Sequence, residues 1–188
     1  TELAINQALF LNENPRILDL CTGSGCIGLA IASRVKDAKV TLADISRDAL
    51  AVAKKNIVRN RLSGRVSCIQ ADAMTAPAAF LGKFDMIISN PPYIRREVIE
   101  TLEPEVRDHE PMMALDGKED GLFFYRKIVS ASVDYLKPEG WLMFEIGYDQ
   151  GEAVSEMMKA SGYTEVRVIK DLAGLDRVVI GKLAQEER

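Results

Sequence analysis

Apolar and polar positions along the chain follow two periods, one for strands and one for helices, and the two alternate from end to end. Arg16-Ile17-Leu18-Asp19-Leu20 is a short apolar strand. Val40-Thr41-Leu42-Ala43, Val66 to Gln70, Phe84 to Ser89 and Trp141 to Ile146 read the same way. Helical spacing fills the intervals. Thr1 to about Asn12 gathers Leu3, Leu9, Phe10 and Leu11 on one side, and Pro15 ends it. Gly25 to Ser33 is a helix of small apolar residues, and Ser46 is an N-cap for a helix that reaches about Asn60. Gly121 to Lys137 carries Leu122, Tyr125, Ile128, Val129 and Val133 at helical spacing. Asp149, with Glu152 three residues on, is a capping-box variant that opens another helix. Val166 to Ile169 and Val178 to Ile180 form a closing pair of strands. Strands interleaved with helices predict an α/β fold with a mostly parallel sheet covered on both faces.

Composition narrows the class. The chain has 188 residues, which predicts one domain over 1–188. Apolar residues make up 47% and charged residues 28%, enough for a buried core without disulfides or metal staples. Lys plus Arg number 24 and Asp plus Glu 28, a net charge of -4 that argues against a broad phosphate-binding face. Cys21, Cys26 and Cys68 are an odd number with no secretory leader ahead of them, which predicts a reducing, cytoplasmic setting. No apolar run reaches the roughly 18 residues of a membrane span.

Two segments carry chemistry. Gly23-Ser24-Gly25-Cys26-Ile27-Gly28 is a G-x-G-x-x-G that directly follows a strand and opens a helix. Glycines punctuate many such turns, so the context matters. Asp44 closes the second strand 16 residues beyond Gly28, where a carboxylate can accept from both hydroxyls of a ribose. Asp19 stands at the mouth of the turn. A carboxylate there repels a pyrophosphate and welcomes an ammonium, which favours S-adenosylmethionine over NAD. Asp72, after the third strand, is placed to accept from an adenine amino group.

The second segment is Asn90-Pro91-Pro92-Tyr93, at the end of the fourth strand. The Asn90 side-chain oxygen and the Pro91 carbonyl are two acceptors on a stiff turn, suited to a planar NH2 group. Tyr93 can cover the other face of that nitrogen or meet a sulfonium charge. A long insertion follows, from Asn90 to about Asp120, with Pro104 and Pro111 among its residues. Insertions of this length at a strand's carboxyl end are usually functional.

With these residues in view, the chain resembles the class I methyltransferases that act on amino groups. Glu103-Pro104-Glu105-Val106-Arg107-Asp108-His109-Glu110-Pro111, Ala114-Leu115-Asp116-Gly117 and Asp120-Gly121-Leu122 are similar to the HemK family in particular. So are Glu145-Ile146-Gly147-Tyr148-Asp149-Gln150-Gly151 and Asp171-Leu172-Ala173-Gly174-Leu175-Asp176-Arg177. The resemblance covers nearly the whole chain. It implies a Rossmann-like, mostly parallel seven-stranded sheet with an antiparallel strand near the C-terminus. It implies methyl transfer from S-adenosylmethionine, leaving S-adenosylhomocysteine, to the glutamine side-chain nitrogen in the Gly-Gly-Gln motif of peptide chain release factors. Cofactor contacts are implied at Cys21, Thr22, Gly23, Ser24, Gly25, Asp44, Asp72 and Ala73, beside the Asp19 carboxylate already read as a cofactor contact. Substrate contacts fall on Asn90, Pro91, Pro92 and Tyr93, with Asn90, Pro91 and Tyr93 catalytic. Some members stack an aromatic residue on adenine where this chain has Ala73, and Cys21 replaces a commoner glycine. Thr1-Glu2-Leu3 resembles the start of the family's catalytic domain, so the family's N-terminal helical domain is expected to be absent.

Other readings compete. The same four residues serve adenine and guanine methyltransferases of nucleic acids, which the net charge weakens. A NAD-dependent oxidoreductase or a non-catalytic nucleotide-binding module would need the glycine turn without Asn90 to Tyr93. Cys21, Cys26 and Cys68 with one histidine do not match zinc spacing, so no metal is expected. Cys26 points into a small-residue helix start, and the lone His109 belongs to a loop or substrate wall. Neither a membrane nor direct nucleic-acid binding is expected.

Overall fold

A computed structural model describes residues 1–75, 81–103 and 111–185. His109, Pro104 and the rest of residues 104–110 lie outside the described residues. The elements run α1 (Glu2–Leu9), β1 (Arg16–Leu20), α2 (Cys26–Arg34), β2 (Lys39–Asp44), α3 (Arg47–Arg59), β3 (Val66–Gln70) and β4 (Phe84–Ser89). They continue with α4 (Arg96–Ile99), α5 (Met112–Leu115), α6 (Phe123–Ser132), β5 (Leu136–Glu145), α7 (Gly151–Ala160), β6 (Tyr163–Lys170) and β7 (Asp176–Leu183). No helix among the described residues is long and apolar enough to cross a membrane.

The seven strands form one sheet in the order β3-β2-β1-β4-β5-β7-β6. Strands β3, β2, β1, β4 and β5 pair in parallel, while β7 is antiparallel to both β5 and β6. Strand order reverses between β1 and β4, which makes that gap the switch point where such sheets bind ligands. Ser89 Oγ, at the end of β4, donates to the Leu20 carbonyl at 3.0 Å and ties the two strand ends together.

Both faces of the sheet are covered, which explains the near-continuous apolar strands. Ile17, Leu42 and Met86 pack with Ala4, Ile31 and Ile57 on one face. Leu18, Ile87 and Phe144 pack with Tyr125, Ile128 and Val154 on the other. Asp85 sits at the strand entries, accepting from Arg16 N at 2.8 Å and from Lys137 Nζ.

Several expectations change. Helix α1 stops at Leu9, well before Pro15, and Leu9 and Phe10 are exposed. Its buried contact is Ala4 and Ala8, an i, i+4 pair small enough to let it lie against α2. Helix α6 stops at Ser132, because the Tyr135 carbonyl accepts from Phe84 N and Leu136 already pairs with Phe84. Strand β5 therefore starts five residues earlier than the Trp141 start expected, across an irregularity between Phe84 and Met86. No capping box forms at α7: its N-cap is Gln150, and Asp149 instead pairs with Arg95 at 3.0 Å. The insertion contains α4 and α5, and a parallel bridge between Ile94 and Asp116 ties its two arms together.

Helix α2 approaches the sheet through Gly28. A Cβ there would run into Leu42 Cδ2 and lie 3.0 Å from Val40 Cγ1 and 2.9 Å from Asp19 Oδ2. Alanine is the better helix former by about 1 kcal/mol, but overpacking outweighs that. Gly28→Ala is expected to lower stability by about 1–3 kcal/mol, read as a lower urea midpoint at unchanged slope. An unchanged midpoint would show that the contact relaxes freely.

Candidate functional site

The glycine turn runs from the end of β1 into α2. Its backbone needs the left-handed region at Cys21 (φ 55°), Gly23 (φ 56°) and Gly25 (φ 87°). Glycine takes that conformation without cost, while Cys21 does so against its Cβ. The turn is held by hydrogen bonds to its own amides. Gly25 N donates to the Thr22 carbonyl at 2.9 Å, and Thr22 N to the Ala43 carbonyl at 3.1 Å. Gly23 N donates to Asp44 Oδ2 at 2.8 Å, and Asp44 Oδ1 takes Ser46 N at 2.9 Å. From α3, Asn56 Nδ2 donates to the Ser24 carbonyl at 2.9 Å.

Asp19 departs from its expected place at the mouth. It is 1% exposed, because its position on β1 turns it toward α2 together with Ile17. Its Oδ2 accepts from Thr22 Oγ1 at 2.7 Å and from Gly28 N at 2.9 Å. Burial pushes its carboxyl up to about 6, against those two hydrogen bonds. Asp19 is thus the inner strut of the turn and does not line the cavity beside it.

That cavity has a volume of about 530 Å³ and runs along the carboxyl ends of the strands. It brings together Cys21, Gly23, Ser24, Asp44, Asp72, Ala73, Asn90 and Pro92. Asp44 is half-buried at its edge, with lone pairs left on both oxygens after the two backbone bonds. Asp72 closes a tight turn, its Oδ1 accepting from Met74 N at 2.9 Å. Ala73 is buried beside it. Ile45, Val52 and Met74, exposed apolar side chains, also line the cavity. Cys21 is no nucleophile, since burial pushes its thiol up to about 12. Cys26 is exposed rather than turned into the helix, 3.1 Å from Ser24 Oγ.

Asn90 stands exposed at the cavity's end, with Pro92 in its lining. Among the described residues, no hydrogen bond is spent on the Asn90 side chain or the Pro91 carbonyl. Pro91, Thr22 and Gly25 are buried outside the lining. Tyr93 also lies outside it, packed against the Tyr125–Phe144 core. Burial, then the Glu145 carboxylate, push the Tyr93 hydroxyl up, against the nearby Arg177 guanidinium.

Sequence reasoning missed the wall contributed by Pro111, Met113, Ala114, Lys118 and Phe124. These come from the insertion and the start of α6, where no periodicity marks them. Lys118 Nζ stands 5.8 Å from the Phe124 ring centre and 3.3 Å from Asp116 Oδ2. No group of three or more His, Cys, Asp or Glu among the described residues could hold a metal ion.

Comparison with known proteins follows the same lines. A family model described as the methyltransferase small domain matches residues 3–103. A Clostridium acetobutylicum protein named release factor glutamine methyltransferase is 44% identical over 177 residues, covering 94% of this chain and 62% of its own length. A Caulobacter vibrioides protein of the same name is 48% identical over 165 residues, covering 88% of this chain and 56% of its own length. The chain therefore spans less than two thirds of each of these relatives. Among solved structures, a Pyrococcus furiosus methyltransferase superimposes with a TM-score of 0.68 at 18% identity, covering 97% of this chain and 81% of that one. An O-methyltransferase family protein from Burkholderia thailandensis gives 0.68 at 14% identity, covering 99% of this chain and 57% of that one. The sheet and its helices are the class I methyltransferase fold.

The buried Asp19 generates a pH dependence. Its folded pKa of about 6 lies above the ordinary 3.8. The stability tied to its proton is therefore full below about pH 3.8 and lost as pH rises through about 6. Asp19→Asn cannot titrate. Relative to wild type, the variant should gain about 2 kcal/mol of stability between pH 4 and pH 7 in urea unfolding. A difference that stays flat across that range would contradict the burial argument.

Proposed function

The chain belongs to the methyltransferase small domain family, and from that premise we propose that it methylates the side-chain amide nitrogen of the glutamine in the Gly-Gly-Gln motif of peptide chain release factors. S-adenosylmethionine is the methyl donor in this reading. The observation that carries it is Asn90, which lines the cavity edged by Asp44 and whose side chain has no hydrogen-bond partner among the described residues; the neighbouring Pro91 carbonyl is the second acceptor in this reading. The names of the curated relatives point to the same acceptor.

The residues present fit the donor. A cavity of about 530 Å³ lies within the roughly 300–1,000 Å³ of small-ligand sites. Free lone pairs on Asp44 suit the ribose hydroxyls, and Asp72 with Ile45, Val52 and Met74 suits a purine. When bound, the donor supplies an electrophilic methyl group on a sulfonium.

The protein's own work is positional. An amide nitrogen is a poor nucleophile, because its lone pair is delocalised into the carbonyl. Its proton is too weakly acidic at neutral pH for a side-chain base to help. Asn90 and Pro91 instead hold the two N–H hydrogens, so the nitrogen is aligned and its rehybridisation is favoured. Both acceptors bind those hydrogens more strongly as positive charge develops, which is transition-state stabilisation; the thioether S-adenosylhomocysteine would leave, and the methylated nitrogen, now strongly acidic, would release one proton to solvent. The Pro91-Pro92 rings fix φ and keep the acceptors aimed.

A radiolabelled methyl-transfer assay offering intact release factor, ribosomal RNA and DNA decides the acceptor. Label on the release factor alone is the expected result, and label on nucleic acid alone would overturn the reading. Within it, Asn90→Ala should cut the single-turnover rate by about 10²–10³, with donor affinity near wild type. Asn90→Asp keeps an acceptor and should retain more activity than the alanine variant. An Asp variant as inactive as the Ala variant would refute the acceptor role.

A further inference from the structure

We infer that Gln150 is a positioning residue for methyl transfer: it aims the Asn90 turn by holding the Tyr93 carbonyl. This rests on the reading of Asn90 and Pro91 as the acceptors of the substrate amide.

Gln150 is the N-cap of α7 and is 5% exposed, yet its side chain makes no cap hydrogen bond. Capping would call for Ser, Thr, Asp or Asn with its oxygen on the helix's own amides. Gln150 reaches the other way. Its Oε1 accepts from Gly147 N at 2.9 Å, and its Nε2 donates to the Tyr93 carbonyl at 3.0 Å and the Gly121 carbonyl at 3.3 Å. One buried amide thus joins the loop after β5, the turn after β4 and the start of α6. Every hydrogen-bonding group it owns is used.

Two glycines make that reach possible. A Cβ on Gly121 (φ 73°) would run into the Tyr93 carbonyl oxygen and lie 2.7 Å from Gln150 Nε2. A Cβ on Gly117 would lie 2.7 Å from the Tyr93 Cα and carbonyl carbon. Beyond Tyr93, Ile94 N donates to the Leu115 carbonyl at 3.1 Å, and Gly117 N to the Ile94 carbonyl at 2.8 Å. The backbone of Tyr93 is therefore fixed from three sides. Two consecutive prolines carry that fixation back to Asn90, because each has a single φ. Losing the Gln150 bonds leaves the acceptors in place but poorly aimed, and misplacement of about 1 Å can cost about 100-fold in rate.

Gln150→Met keeps the length and removes the hydrogen bonds. It should lower the single-turnover rate about 10- to 100-fold, with affinity for S-adenosylmethionine within about twofold of wild type. Hydrogen exchange should speed up at the amides of Ile94, Arg96 and Gly117 and stay at wild-type rates in β1 and β2. Gln150→Glu keeps the volume. It should be poorly active when ionised and recover as pH falls, because the protonated carboxyl again donates to Tyr93 O. A Gln150→Met enzyme at the wild-type rate, or one losing donor affinity in step with rate, would overturn the inference. So would a Gln150→Glu profile parallel to wild type. If wild type methylates no release factor, the functional reading fails, and the exchange pattern still judges Gln150.

Discussion

Two carboxylates hold the glycine turn, and the site depends on them. Asp44 takes the Gly23 amide from the side of the cavity, and Asp19 takes the Gly28 amide from behind. Gly25 N is turned onto Thr22 O. A dinucleotide-binding turn offers its amides and its helix N-terminus to a pyrophosphate. Here those three glycine amides are occupied, two of them by anions, and the positive end of α2 faces the protein's own negative charge. A diphosphate at the turn would meet these carboxylates, and the edge that Asp44 presents to the cavity is an acceptor.

The same economy of space shapes the other half of the site. Gly28 lets α2 lie close enough for Asp19 to be used, and Gly117 and Gly121 let the chain close on Tyr93. Ser89 ties β4 to β1 at the switch point. The turn that carries Asn90 is therefore fixed relative to the glycine turn through the sheet itself. Alignment of a nitrogen with a methyl group needs that rigidity more than it needs a base.

The sheet was legible in the sequence because its central strands are buried on both faces. The starts and ends of Arg16–Leu20, Val66–Gln70 and Phe84–Ser89 match the apolar runs. Helix ends were less legible, since Ala4 and Ala8 make a contact that a search for large apolar residues passes over. The burial of Asp19 is not legible, because the sequence shows its nearness to the turn and not its side of the strand. The capping box at Asp149 failed because Arg95, distant in sequence, competes for that carboxylate. Tyr93 and the wall from Pro111 to Phe124 depend on how the insertion folds back, which no local pattern records. Gln150 looked like one residue in a family segment, and only its three partners give it a role.

Calorimetric titration of the chain with S-adenosylmethionine and, separately, with NADH tests most directly whether the turn is built for the methyl donor. The account predicts saturable one-to-one binding of S-adenosylmethionine and no heat of binding from NADH. Saturable binding of NADH, with none for S-adenosylmethionine, would contradict it.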